Sequence, residues 1–534
     1  MSIKNRHIIV IGGGTSGAVM AARLSESPSF MVTLLEAGPD HDAYDADVFT
    51  PLHASDAWSE DRKHHVPSPM KADNGVMTMM QGRLLGGTST LNGMATLRGQ
   101  PGDYDAWADA GLEGWGWQDV RDTFIAAERD RDFGTSPLHG NAGPLPVRRW
   151  RKQELSHAQA TFCNGLVNNG QPFSHDINDP DQLPGVGIFP VTIDENAQRV
   201  TTSLAYLTEE VRRRGNLNIR TNAPVERILI ENGQATSVLL ESGEELAADE
   251  IVLSAGAIWS AKMLLRSGVG PKEHLAKYGI NVHADLPVGS TMSDHLGPGI
   301  LYRHPGSRGS DAGPAQVVFV GASNGHDVDY HAMPISLQDP NRNPLTFSEK
   351  LKLIRRASTE NSKITISDAY DALKFLMTPT KNDTMFMLAL FLLCSSGQGS
   401  VRLGDTPDAD PVVTAPPLPK DAHQRLRHAF DVIAAWEGSD EFRNLGLSPV
   451  FPQDLSAPDA VAIALARNTI SYGHMVGTCP MGTVLDADCR VLGIPNLRVA
   501  DASVMPTIPR GNTYLGCVMV AERIAAKMKM QSTA

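Results

Sequence analysis

Cysteine is scarce: the 534-residue chain holds five, widely spaced and odd in number. Such a set forms no disulfide framework, and without a C-x-x-C pair it builds no thiolate metal site. No H-E-x-x-H or paired-carboxylate spacing offers another centre, so no metal is expected. Basic residues are in deficit, with 47 Lys and Arg against 60 Asp and Glu and a net charge of −13. A phosphate backbone needs a basic face, which argues against nucleic acid as a partner. Long apolar runs are missing too. The longest charge-free one, Met385–Cys394 (MFMLALFLLC), is about half of the ~20 residues that span a bilayer. An apolar strand begins within the first ten residues, leaving no room for a secretory signal. These absences predict a soluble chain in a reducing compartment, the cytoplasm, long enough for more than one folding unit.

Glycine, by contrast, is plentiful, with 48 residues. His7–Ile11 (HIIVI) is a continuous β-branched run that suits a strand buried on both faces of a parallel sheet. It leads into Gly12-Gly13-Gly14-Thr15-Ser16-Gly17 and an amphipathic helical stretch carrying Val19, Met20, Ala22 and Leu24. A second apolar strand, Met31–Leu35, ends at Glu36. G-x-G-x-x-G alone is a weak signal; strand, turn, helix, strand and terminal acid together make it a dinucleotide fingerprint. Gly12 permits the turn, Gly14 admits a pyrophosphate to the backbone, and Gly17 lets the helix close on the strand. The helix N-terminus at Thr15 and Ser16 offers N–H groups to phosphate, and Glu36 accepts from a ribose diol.

Gln81–Gly93 is a second such segment, with Gly82, Arg83, Gly86, Gly87, Thr88, Ser89, Leu91 and Asn92 inside it. Its small residues predict close backbone approach to a flat ligand, then a helix from about Ser89. The stretch from Ala37 to about Pro69 reads as irregular. Asn218–Val225, Val225–Ile230 and Val238–Gly243 read as short strands, with a turn at Glu231-Asn232-Gly233. Arg498–Ala500 reads as a last short strand and Val518–Met528 as an amphipathic closing helix.

These segments resemble the glucose-methanol-choline (GMC) family of FAD-dependent oxidoreductases. The likeness rests on Gly12-x-Gly14-x-x-Gly17, Leu35-Glu36-Ala37-Gly38 and Gly82-Arg83-x-Leu85-Gly86-Gly87-Thr88-Ser89-x-Leu91-Asn92. It continues through Leu138-His139-Gly140, Val252–Ala257, Asp294-His295, His474-x-x-Gly477-Thr478-Cys479, Asp501-Ala502-Ser503 and Gly511-Asn512-Thr513. The resemblance implies an α/β and α+β architecture. A Rossmann-type FAD-binding domain, discontinuous in sequence, would take 1–145, 200–295 and 465–534. A substrate-binding domain, an antiparallel sheet backed by helices, would take 146–199 and 296–464. It also places Val225 near the adenine, and Ala255, Gly256, Asp501, Ala502 and Thr513 beside the flavin. Leu91 stands next to Asn92 and Gly93 where some relatives tether FAD through His, so non-covalent FAD is expected.

Alcohol oxidation needs removal of the hydroxyl proton together with hydride transfer to an acceptor, here flavin N5. His474, among small residues in Tyr472–Gly477, is the expected base. Asn512 matches the family's second active-site position, where an amide holds the substrate oxygen without competing for the proton. Its competing reading is a turn or cap, because Gly511 precedes it and a helix follows. Gly321-Ala322-Ser323-Asn324-Gly325 matches a nucleophile elbow after an apolar strand, but His326–Tyr330 is a poor helix start. Ser260-Ala261 departs from a common Ser-Pro, which affects a turn and not the chemistry. Glu349–Asp383, with Lys350, Lys352, Arg355 and Arg356 and a helical stretch at Asp368–Met377, matches nothing in the family pattern. A solvated helical surface is the expectation there, with a lid or docking face as the rival.

Asp103–Trp107, Gly114–Trp117 and Glu128–Pro144 resemble most the bacterial hydroxymethylfurfural oxidase and pyridoxine 4-oxidase branch. That likeness implies a small-molecule partner, a neutral aromatic or bulky primary alcohol oxidised to the aldehyde, with O2 the expected acceptor. A choline-like dehydrogenase passing electrons to a quinone or other carrier is the alternative. A hydroxynitrile lyase on the same fold and a non-catalytic flavoprotein are further rivals. The oligomeric state stays open.

Overall fold

The opening strand, Arg6–Ile11, is central to a five-stranded parallel sheet. The computed structural model describes residues 5–44, 46–50, 65–72, 75–304, 315–323, 328–336 and 384–533. The sheet order is Leu497–Val499, Glu250–Leu253, Arg6–Ile11, Phe30–Leu35 and Leu217–Arg220, with every neighbour parallel. Ile8, Ile9, Val10, Val32, Leu34, Ile251, Val252 and Val499 are fully or almost fully buried, as a sheet covered on both faces requires. Thr15–Leu24 crosses from the first strand to the second and packs along a closing helix, Thr513–Thr533. That helix begins five residues before the expected Val518. Its first turns bury Tyr514, Leu515, Val518, Met519, Val520 and Ala521, so its amphipathic character starts only beyond them.

The second sheet is antiparallel, in the order Ser448–Phe451, Leu296–His304, Thr384–Leu392, Tyr330–Ser336, Val317–Gly321 and Gly185–Ile188; Thr469–Ser471 pairs with the start of Leu296–His304. The apolar run at Met385–Cys394 forms its middle strand, and period-2 alternation divides it between two cores. Phe386, Leu388, Leu390 and Leu392 pack with Ala422–Glu437 and neighbouring helices. Met387, Ala389 and Phe391 join Leu301, Val320 and Met333 on the other face, against Tyr472. Among the described residues no helix is long and apolar enough to cross a membrane.

Three local expectations change. Ala37–Pro69 is not wholly irregular, because His65–Ala72 pairs with Gly75–Gly82 as an antiparallel hairpin. No α-helix follows Ser89: Gly87–Thr90 is one 3₁₀ turn, whose Ser89 and Thr90 hydroxyls bond back to the carbonyls of Gly86 and Gly87 (2.6 and 2.7 Å). Such back-bonding replaces the helical ladder. Ser260 lies inside a helix, Gly256–Arg266, and not in a turn. Glu349–Asp383 and the end of the Gly321–Gly325 motif lie outside the described residues.

Candidate active site

Four loops leave the C-terminal edge of the parallel sheet together, where open α/β sheets bind ligands. They begin at Gly12, Glu36, Ser254 and Ala500. Gly12 has φ +96°, and a Cβ there would lie 2.6 Å from the Ser254 carbonyl oxygen. A Cβ on Gly17 would fall inside the Gly12 carbonyl, so strand and helix meet backbone to backbone. The Glu36 carboxylate binds the turn itself, accepting from the N–H groups of Gly13 and Gly38 (both 2.8 Å). Burial raises its pKa despite those bonds, and each oxygen keeps a lone pair for a further donor. Ala37 follows, half-buried. Glu36 O also accepts from Ala223 N, which brings Val225, half-buried at the start of Val225–Glu231, to the same edge.

The second glycine segment docks on the first. Gly86 N donates to Gly13 O (2.8 Å), and Gly87 stacks on Gly14 with only backbone between them. Arg83 is exposed, its carbonyl packed on Gly38, and Thr88 is exposed beside the buried Ser89. Ser16 Oγ donates to Cys517 O, which leaves half-exposed Thr15 as the hydroxyl at the mouth of the turn. Asn92 Oδ1 accepts from Met94 N and Arg199, Leu91 is buried against Met80, and a side chain at Gly93 would point into open space.

Where the flavin is expected, Gly256 (φ +83°) also faces open space. Asp501 accepts from Gly256 N, Ser260 Oγ, Ser503 N and Ser503 Oγ. Its carboxylate therefore holds the loop, and burial raises its pKa against those four bonds. Ala502 and Thr513 lie buried beside it. A backbone-walled groove with free N–H ends, clear of side chains at Gly14, Gly93 and Gly256, fits an extended dinucleotide such as FAD.

His474 and Asn512, 38 residues apart, come together: Asn512 Nδ2 is 3.2 Å from His474 Nε2, and both residues are 8% exposed. Asn512 directly precedes the closing helix, yet its amide reaches the imidazole and its buried Oδ1 has no partner. Asp103 anchors its loop by accepting from Arg510 N and Nε (both 2.7 Å). His474 N donates to Asp294 Oδ1 (2.9 Å), and Ser471 Oγ donates to the other oxygen. His474 Nδ1 lies 3.0 Å from His295 Nδ1. Tyr472 is sandwiched between His474 (centroids 4.0 Å) and Phe391 (4.2 Å). Burial, then the charge of His331, lowers the His474 pKa to about 3, so the ring is neutral at physiological pH. Burial alone takes His331 equally low. His295, Tyr472 and His331 carried no role in the sequence reading. Tyr472 adjoins the motif in sequence, but the other two reach the site only through tertiary contact.

A dinucleotide groove at the sheet edge and a neutral histidine–amide pair stacked with Tyr472 fit a flavin-dependent oxidoreductase of alcohols. The chain belongs to the GMC oxidoreductase family, whose N-terminal and C-terminal models match residues 6–297 and 395–521. It is therefore an FAD-dependent enzyme acting on CH–OH donors. It is similar to the 5-(hydroxymethyl)furfural oxidase of a Methylovorus species, with 31% identity over 98% of both chains. The oxygen-dependent choline dehydrogenase of Photobacterium profundum is 30% identical over 97% of this chain and 92% of its own. The crystal structure of pyridoxine 4-oxidase from Mesorbium loti superposes with a TM-score of 0.82 at 27% identity, covering 98% of this chain and 99% of that one.

Proposed function

We propose that the chain oxidises a neutral aromatic or bulky primary alcohol to its aldehyde, with non-covalent FAD and with O2 as final acceptor. The observation that carries this reading is the neutral pair at His474 Nε2 and Asn512 Nδ2, with Asn512 Oδ1 unpartnered. The alcohol hydroxyl would lie against both groups. His474 Nε2 takes its proton, while the Asn512 amide holds the oxygen and stabilises charge developing on it. FAD, when bound, supplies the hydride acceptor. Tyr472, stacked on the His474 ring and backed by Phe391, is the aromatic surface next to the pair and would suit a planar body. The acidic group touching His474, Asp294, is fully engaged with Ser471 and backbone, and burial raises its pKa to about 7, so it is a poor counter-charge for a quaternary amine. The relatives that act on hydroxymethylfurfural and pyridoxine support the ring-borne CH2OH class. Leu91, apolar and buried, supports FAD held without a covalent link.

The test is anaerobic mixing with benzyl-type, furfuryl, pyridoxine-like, choline and sugar alcohols, followed by turnover in air with and without a dye. Flavin bleaching by the ring alcohols, with peroxide released in air, is expected. Bleaching by choline or sugars alone would overturn the substrate class, and turnover with dye but no peroxide would reverse the acceptor.

A further inference from the structure

We propose that His295 is a positioning residue that sets the tautomer of His474, so that Nε2 carries no proton: at rest it accepts from the Asn512 amide, and it takes the alcohol's proton once the hydroxyl replaces that contact. The inference rests on the reading of His474 as the base. His295 is completely buried, and its Nδ1 lies 3.0 Å from His474 Nδ1. Two nitrogens at that distance share one proton, so one ring donates and the other accepts. Asn512 decides which. Its Nδ2 is a donor and sits against His474 Nε2, so Nε2 is the acceptor and the proton of His474 lies on Nδ1. His474 Nδ1–H therefore donates to His295 Nδ1, and His295 carries its own proton on Nε2.

The backbone makes this contact reproducible. Residues 293–295 run antiparallel to 472–476: Ser293 and Val476 exchange both N–H···O bonds (3.0 Å each), and Tyr472 N donates to His295 O (2.9 Å). Asp294 takes the backbone N–H of His474 (2.9 Å) while His295 takes its ring N–H. Adjacent residues thus hold the main chain and the imidazole of His474. Had the His474 proton rested on Nε2, that atom could not accept from an alcohol.

His295 also bears on basicity. When His474 Nε2 accepts the hydroxyl proton, the charged ring keeps its Nδ1–H bond to a neutral acceptor, which favours the cation. The other titratable groups facing the two rings are Asp294 under the backbone, Tyr472 over the His474 ring, and His331 on the neighbouring sheet. None of them bonds the Nδ1 of His474. Burial followed by the charges of His474 and His331 keeps His295 neutral, so it acts as an acceptor and not as a second cation.

The experiment compares His295→Leu, His295→Asn and His474→Ala holoenzymes by single-turnover flavin reduction, alongside ¹⁵N-histidine NMR of the resting protein. Asn Oδ1 can occupy the place of His Nδ1 and accept the same proton. The expected result is a ~10–10²-fold slower reduction in His295→Leu, part of the ~10²–10⁴ that a positioned base is worth. His295→Asn should recover most of that loss, and NMR should show His474 protonated on Nδ1 in wild type and in His295→Asn. Equal slowing in Leu and Asn variants, or wild-type rates in both, overturns the inference, as does a resting His474 protonated on Nε2. If His295→Leu does not fold, the His295→Asn rate and the NMR tautomer decide. His474→Ala at the wild-type rate would refute the underlying base assignment instead.

Discussion

His139 is the centre of a buried charge cluster whose removal has a calculable cost. Its Nδ1 lies 2.8 Å from Glu128 and 3.1 Å from Asp130, and its Nε2 lies 2.7 Å from Asp176. Arg98 reaches Glu128 at 2.5 Å, and Arg149 reaches both Asp130 and Asp176. Three cations and three anions therefore balance, provided His139 is charged. Burial opposes that charge, but hydrogen bonds to Asp130, Asp176 and Glu128 outweigh it and raise the pKa to about 10. At an effective dielectric near 20, one such contact at 2.8 Å is worth roughly 6 kcal/mol before desolvation. Removing one member of a buried ionic cluster typically costs about 3–5 kcal/mol, because it strands the others. Against a total stability of about 5–15 kcal/mol, His139→Leu should cost a large share. Because the folded pKa lies above the unfolded value near 6.5, the contribution is complete below about pH 6.5 and fades as pH rises through about 10. Thermal unfolding of wild type and His139→Leu between pH 6 and 10 is the assay. The gap between their midpoints should be widest at the acid end and close toward pH 10; equal midpoints at pH 7, or a gap independent of pH, would refute the charge accounting.

Gly17→Ala should abolish FAD retention, because its Cβ would fall inside the Gly12 carbonyl; the flavin-to-protein absorbance ratio after gel filtration measures it. Asn512→Ala should keep FAD but slow flavin reduction by ~10²–10³, the worth of one oxyanion donor, read by stopped flow. His331 and His474 are buried neutral with pKa values near 3, so their share of stability is complete above about pH 6.5 and is lost as pH falls toward 3. Unfolding midpoints should therefore drop across that window, and replacing His331 by Phe should shallow the drop. Acid precipitation should release the flavin to the supernatant, and colour kept in the pellet would refute non-covalent binding.

Much of the parallel sheet was legible because its signals are local. Strand, glycine turn, helix and terminal acid lie within the first 36 residues, each with its own sterics. The hairpin at His65–Gly82 was hidden by Pro67 and Pro69, which read as loop; the strand tolerates them because its outer partner, Val412–Thr414, bonds it only near Met70 and Lys71. Asp501 was expected beside the flavin by position, yet four internal bonds take up its carboxylate. Pattern locates a residue without saying where its side chain is already committed. His295 stood in a recognised Asp-His pair without a role, since its partner lies 179 residues away. The charge cluster is the same case. Glu128–Asp132 and His139 are close in sequence, but the arginines that balance them come from positions 98 and 149.

The site exists because both sheets deliver backbone to one place. Strand ends of the parallel sheet bring Gly12, Glu36, Ser254 and Asp501 to a common edge, which explains how pieces far apart in sequence make one groove. The antiparallel sheet joins it through Leu296–His304, whose first residues pair with Thr469–Ser471 and whose preceding residues hold His474. A base on a free loop would need its orientation selected at every turnover. Here Asp294 and His295 are locked to the turn that carries His474, while Asp103 and Gly99 seat the loop that carries Asn512. The two polar groups of the pair are therefore fixed by different elements, and their 3.2 Å separation is built into the fold. Tyr472 belongs to the same arrangement: it stacks on the His474 ring at 4.0 Å and on Phe391 at 4.2 Å, so a change of side chain there would move the imidazole as well as the surface beside it.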